Sequence, residues 1–313
     1  MLMETEKIYN HHVGCFYLRA WANDNRIWWS GYGKIECSEL TVVGGENYFY
    51  KLQELTDGDV ALIRGLIDRF PEGSKKIHEN FLISLSLPPA IKRDAVRLGV
   101  IDADAMSKLD TAIVNTNEDY QTAIENSLRP YLQSMLEGNA NFYGDPPKAS
   151  EFLYALSLQY FRTKRMREAI IARVRQPFEN IGRVWNILSH MFAVNLGASL
   201  FVDRELFKLV LIDNDTSVPF ITGDQPIINL NSNGTDPPER IELYYPLSPA
   251  KAMLLFEQSN TMYAVRFSVT MEEAHRYNQL IATHACKQLF ANSEDSLKMV
   301  ERASEPRTQS AAQ

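Results

Sequence analysis

Three groups of residues in this 313-residue chain are of types that carry out chemistry. His11 and His12 are adjacent, and a histidine near its ordinary pKa of about 6.5 moves a proton at neutral pH or ligates a metal through a ring nitrogen. Gln159, Arg162 and Arg165 follow one another at three-residue spacing. Residues three apart are neighbours on one face of a helix, and guanidinium forks suit phosphate or carboxylate. Asp224 lies in the stretch 218–230, Val-Pro-Phe-Ile-Thr-Gly-Asp-Gln-Pro-Ile-Ile-Asn-Leu, between two apolar runs. Gly223 admits backbone geometry that other residues resist, and Pro226 redirects the chain, so the carboxylate stands at a sharp break.

Taken together these types fit phosphodiester cleavage. A histidine would serve as base or metal ligand, Asp224 as ligand or orienter, and Arg162, Arg165 and Gln159 as the clamp on phosphate oxygens. Each group also has a plainer reading. Neighbouring histidines make no metal site by themselves, a basic helix face is usually solvated or ion-paired, and Gly-Asp-x-Pro is good turn chemistry on its own. His78, His190, His275 and His284 occur singly and read as structural.

Several function classes lack their signatures. There is no G-x-S-x-G elbow, no phosphate-binding G-x-x-x-x-G-K-[ST] loop, no G-x-G-x-x-G and no H-E-x-x-H, so serine hydrolase, P-loop, dinucleotide-binding and zincin readings have no support. Three widely spaced cysteines, Cys15, Cys37 and Cys286, suggest neither a disulfide framework nor a cysteine zinc site and fit a reducing cytoplasm. The net charge of -7 argues against broad attraction to nucleic acid or anionic membrane. The first residues carry two acids and no apolar run of the signal-peptide kind, and no window reaches about 18 uninterrupted apolar residues. The expected setting is cytoplasmic, with no membrane contact.

The elements that position these residues follow from apolar periodicity. Phe16, Tyr17, Ala20 and Trp21 predict a short helix behind the histidines, Arg26–Ser30 and Lys34–Cys37 a hairpin, and Tyr48–Tyr50 a strand fragment. From residue 56 to about 205 the chain is helix-rich. Thr56 caps the first helix, Pro88-Pro89 are expected to stop the second, and Pro130 marks a kink or boundary in a helix over 120–136. Helices over 150–175 and 181–201 carry the basic run and a further apolar stripe. Strands are expected at 207–212, 241–245, 252–256 and 262–269, then a helix opened by the capping box Thr270-Met-Glu-Glu273. The composition beyond residue 291 predicts a disordered tail over 292–313.

The order of these motifs resembles a known family. His-His-x-x-x-x-Tyr-Leu-Arg-x-Trp-Ala, Leu-Gln-Tyr-Phe-Arg-Thr-Lys-Arg, Phe-Ile-Thr-Gly-Asp-Gln-Pro, Tyr-Pro-Leu-Ser-Pro at 245–249 and a Tyr-Asn pair before the last helix are similar to a widespread bacterial domain of unknown function. The resemblance spans about His11 to Ala291. The family pattern has Val-Pro where this chain has Val13-Gly14, and Thr-Ser-Asp-Asn-Pro where it has Thr222-Gly223-Asp224-Gln225-Pro226. The resemblance brings no activity, but it groups His11, His12, Arg162, Arg165 and Asp224 as residues of one pattern.

The expectation is therefore a single α+β domain over 1–291, its mixed sheet built from N- and C-terminal strands around a central helical region. Its expected function is that of a nuclease-like, phosphodiester-cleaving effector in a phage-defence or toxin setting, with a nucleic acid or nucleotide as partner and the cofactor left open, a divalent metal being the candidate. Two alternatives stand beside it: a non-catalytic sensor or interaction module with a protein partner or a second copy of itself, and an enzyme of small phosphorylated ligands.

Overall fold

The computed structural model describes residues 5–100, 102–173, 181–232, 238–258 and 267–304. Arg175 at the end of the basic run, the middle of the 231–240 loop and the first part of the strand expected at 262–269 lie outside them. The chain divides into two compact units. The first comprises Met1–His12, Gly45–Tyr131 and Asn141–Arg204, the second Val13–Gly44, Leu132–Ala140 and Glu205–Gln313. The fold class is α+β.

The first unit is helical. Thr56 and Asp59 form a reciprocal capping box, which opens the helix Asp57–Ile67. Its buried Ile63 and Ile67 join Leu82, Leu85, Trp185, Leu188 and Met191 in one core. The next helix, Glu72–Arg97, runs through Pro88 and Pro89 rather than stopping there. Each proline removes a ladder hydrogen bond. Burial of Leu82, Leu85 and Pro89 holds the helix across the gap, and the Ser86 hydroxyl donates to the Leu82 carbonyl at 2.6 Å. Pro130 likewise sits inside the helix Ala103–Leu136 without ending it, between buried Leu128 and Tyr131.

The Pro146–Phe161 helix follows, and the chain breaks at Arg162, which caps it, before the helix Lys164–Arg173 begins. The basic run is thus split over two elements. The helix Ile181–Val202 is long and apolar enough to cross a membrane by length and composition, but 56% of its apolar window is buried in the protein. A short ladder pairs Tyr9–His11 with Gly45–Asn47. The strand expected at Tyr48–Tyr50 is displaced to Gly45–Asn47, because Tyr48 adopts φ +56° and turns the chain out of the ladder.

In the second unit, the N-terminal hairpin Arg26–Gly31 and Lys34–Glu39 joins the C-terminal strands Leu289–Ala291 and Thr222–Gly223 in a four-stranded antiparallel sheet. A five-stranded sheet runs Phe267–Ser268, Phe207–Asp213, Lys251–Glu257, Glu242–Ser248, Ile228–Asn229, and its first pair is parallel. Early and late strands thus share the antiparallel sheet, while the sheet with a parallel pair is built from late strands alone. The helix Met271–His284 opens on the expected capping box of Thr270 and Glu273. A further helix, Glu294–Ser304, replaces the disorder expected from residue 292. Leu297 and Val300 on its inner side are buried in the core of this unit, so three-residue apolar spacing outweighs the polar composition around it. Residues 305–313 lie outside the described chain.

Candidate functional site

The two units divide the candidate residues. In the second unit the 218–226 stretch is held from several directions. Trp21 Nε1 donates to the Phe220 carbonyl at 2.8 Å. The Tyr17 hydroxyl donates to the Pro246 carbonyl and meets the Thr222 hydroxyl, both at 2.7 Å. Asn278 accepts from the Ile221 amide at 3.0 Å and donates to the Pro219 carbonyl at 2.8 Å.

At the centre of this arrangement is Asp224. Its Oδ1 accepts from the Cys286 amide at 2.6 Å, and its Oδ2 from the Lys287 and Gln288 amides at 2.7 and 3.0 Å. Burial pushes this carboxyl up, and the three amides pull it back. Asp224 thus ties the turn after Thr222–Gly223 to the segment that leads into Leu289–Ala291, the turn-forming role in its fullest form. The motifs of the resemblance that fall in this unit, Tyr17-Leu-Arg-x-Trp21, Thr222-x-Asp224, Tyr245-Pro246 and Tyr277-Asn278, are the ones that interlock here.

The first unit holds the other set. Arg162, at the end of the Pro146–Phe161 helix, is 2% exposed. Its Nη2 pairs with Glu125, and its Nη1 donates to the Gln121 amide oxygen at 3.4 Å. Burial alone would lower the guanidinium pKa, but Glu125, Tyr50 and Glu118 hold it above its ordinary value, so it is a permanent buried cation. Gln159, one turn earlier, donates to the His12 carbonyl at 3.1 Å and so fixes the end of the short ladder against this helix. The His12 ring is 3% exposed and lies 5.3 Å from the Phe49 ring. Burial, together with the positive charge of Arg162 and Lys164, lowers its pKa to about 3. His12 is therefore neutral throughout the physiological range. His11 is half-buried, edge-on to Tyr9. Arg165 stands on the next helix, Lys164–Arg173, so it does not share a helical face with Arg162.

The remaining members of this cluster come from elements that read as scaffold in the sequence. The Ala103–Leu136 helix presents Asn117, Glu118, Gln121 and Glu125, in phase with its buried Val114 and Leu128. His190, from the Ile181–Val202 helix, meets the Asn117 Oδ1 through Nε2 at 2.8 Å and stacks on Phe81 at 4.9 Å. Burial and Arg162 lower the His190 pKa to about 3. Tyr50 enters because Asn10, fully buried, accepts its backbone amide at 3.0 Å. Burial is also the first cause that raises Glu118 from 4.5 to about 7; Arg162 opposes it and Glu125 adds to it. Sequence reasoning missed Glu118. Its signal was a run of polar residues at core-phase positions of an amphipathic helix.

Seven buried polar atoms of this cluster have no hydrogen-bond partner among the described residues: His12 Nδ1 and Nε2, Tyr50 Oη, Asn117 Nδ2, Glu118 Oε2, Arg162 Nε and His190 Nδ1. An unsatisfied buried polar atom costs about 1–3 kcal/mol, so seven left dry would cost on the order of the whole stability of a domain. Such a cluster demands polar occupants. A cavity of about 10 Å³ beside Gln121, Glu125, Gln159 and Arg162 has the size of a single water. Among the described residues, no three His, Cys, Asp or Glu side chains are grouped to hold a metal ion.

The chain belongs to the family described as "Protein of unknown function (DUF4238)", whose model matches residues 9–295. No curated protein and no solved structure matches it.

Proposed function

We propose that this DUF4238 chain is a phosphodiester-cleaving enzyme whose chemistry resides in the first unit, around Arg162. The observation that carries the reading is the gathering of seven unpartnered buried polar atoms about one buried, permanently charged guanidinium. A site that stabilises developing anionic charge depends on a buried cation of this kind with polar groups gathered about it.

The division of labour differs from the one the sequence suggests. With a pKa near 3, His12 is too weakly basic to take a proton at neutral pH, and it offers instead a neutral ring for hydrogen bonding. Glu118, near 7, has the proton affinity of a general base at working pH. In the proposed step, water attacks phosphorus and its proton passes to the Glu118 carboxylate. The P–O bond to the leaving group breaks, and the departing oxygen takes that proton from the Glu118 carboxylic acid. Arg162 faces the developing charge through Nε, its other nitrogens being held by Gln121 and Glu125. Asp224 is assigned no part in this step.

The non-catalytic alternative has support of its own in the second unit, where the polar motifs serve to stitch strands and helices together. The test is incubation of the purified protein with RNA, DNA, a dinucleotide and bis(4-nitrophenyl) phosphate, with and without divalent ions, beside Glu118→Gln and Asp224→Ala. Cleavage that Glu118→Gln reduces at least about a hundredfold supports the proposal. Cleavage unchanged in Glu118→Gln, or none with any substrate, overturns it.

A further inference from the structure

A second opening in the first unit adjoins this cluster through a single ring. Tyr48, Phe49, Lys51, Arg167, Arg183 and Asn186 line a groove of about 310 Å³. Phe49 faces it on one side and lies 5.3 Å from the His12 ring on the other. Three cations meet in this groove, in a protein of net charge -7. Arg183 is neutralised by buried Asp59, Nη1 to Oδ2 at 3.0 Å. Lys51 and Arg167 have no carboxylate within ion-pair reach among the described residues. Lys51 Nζ stands 5.0 Å over the Tyr48 ring, and the Arg167 guanidinium 5.8 Å over Phe49. These rings fix the two cations in place while leaving their donors open to an anion. Arg167 reaches the Gly182 carbonyl only at 3.4 Å, and the Asn186 amide donates to the Lys51 carbonyl at 3.2 Å.

We propose that this groove binds a nucleotide-sized ligand, its phosphate on Lys51 and Arg167 and its base on the exposed Tyr48 ring. Two unneutralised cations on aromatic supports select a phosphate. The exposed Tyr48 face selects a planar ring, since base-on-aromatic stacking tolerates any base. The volume stands at the lower end of small-ligand pockets and takes a mononucleotide unit rather than a folded polymer. The inference rests on and deepens the phosphodiester reading by naming its substrate class, a short or single nucleotide diester.

Calorimetric titration with adenosine 5′-monophosphate, adenosine and inorganic phosphate tests it on the wild type, Lys51→Gln and Arg167→Gln, with melting temperatures recorded to verify folding. The monophosphate is expected to bind at least about tenfold more tightly than either fragment, and each variant to weaken it about tenfold. Equal affinity for nucleotide and inorganic phosphate, or nucleotide affinity unchanged in both variants, overturns the proposal. The two readings fail separately. Nucleotide binding that depends on Lys51 and Arg167, in a protein that cleaves no diester, keeps the groove and removes the cleavage. Glu118-dependent cleavage with nucleotide affinity unchanged in both groove variants keeps the cleavage and removes the groove.

Discussion

Replacing Glu118 by glutamine preserves the side chain's size and removes its titration. In the unfolded chain this carboxyl releases its proton near 4.5, and in the folded unit near 7. Between those values the folded state binds a proton that the unfolded state has given up, so stability from this group is full below pH 4.5 and is lost as pH rises through 7. At about 1.4 kcal/mol per pKa unit, the loss amounts to about 3 kcal/mol once the pH is well above 7. The groups that face Glu118, namely Arg162, Glu125, Lys7 and Asp119, are present in both proteins, as are His12 and His190, so their own titrations largely cancel in the comparison. Urea denaturation of wild type and Glu118→Gln from pH 4 to pH 9, followed by tryptophan fluorescence and far-UV circular dichroism, reads the difference. The wild type should lose about 3 kcal/mol relative to the variant across that range, most of it between pH 5 and 8. Parallel stability curves would refute the burial argument and with it the assignment of Glu118 as the base.

Three further outcomes follow from the same geometry. His12 and His190, each lowered from 6.5 to about 3, contribute stability that is present above pH 6.5 and lost as the pH falls toward 3. Acid unfolding should accordingly take up close to two protons from these groups, and His190→Gln should reduce that uptake by about one in a pH-dependent denaturation series. Arg162→Met leaves Glu125 without its buried partner and should cost about 3–5 kcal/mol, most of it recovered by adding Glu125→Gln. Asp224→Asn places an amide NH₂ against backbone donors where a carboxylate oxygen now accepts. The cost should be about 2–4 kcal/mol, with faster hydrogen exchange at the Lys287 and Gln288 amides.

The sequence made the helical region and the mixed sheet legible because their signals are local. Thr56 and Thr270 carry their capping partners three residues on, and the Arg26–Glu39 hairpin is announced by its turn glycines. The prolines at 88 and 89 misled because tertiary burial on both sides outweighs the missing hydrogen bonds, a balance that no local window contains. The Glu294–Ser304 helix was hidden in a polar composition that only the second unit's core resolves. In the site, Arg162, Gln159 and His12 stood out by type and spacing. Glu118 and His190 did not, since nothing near either residue in the chain shows that a guanidinium will be buried beside it. Asp224 drew attention for its sharp turn, and the three amides that occupy its carboxylate come from residues 286–288, more than sixty positions away.

The most direct test of the central claim is the pH dependence of kcat/KM for a phosphodiester such as bis(4-nitrophenyl) phosphate, measured from pH 4 to pH 9 on wild type and Glu118→Gln. The rate should rise with pH along a limb centred near pH 7, as the Glu118 carboxylate forms, and the variant should lose both that limb and at least about a hundredfold in rate. A limb of the same midpoint in Glu118→Gln, at undiminished rate, would contradict the account.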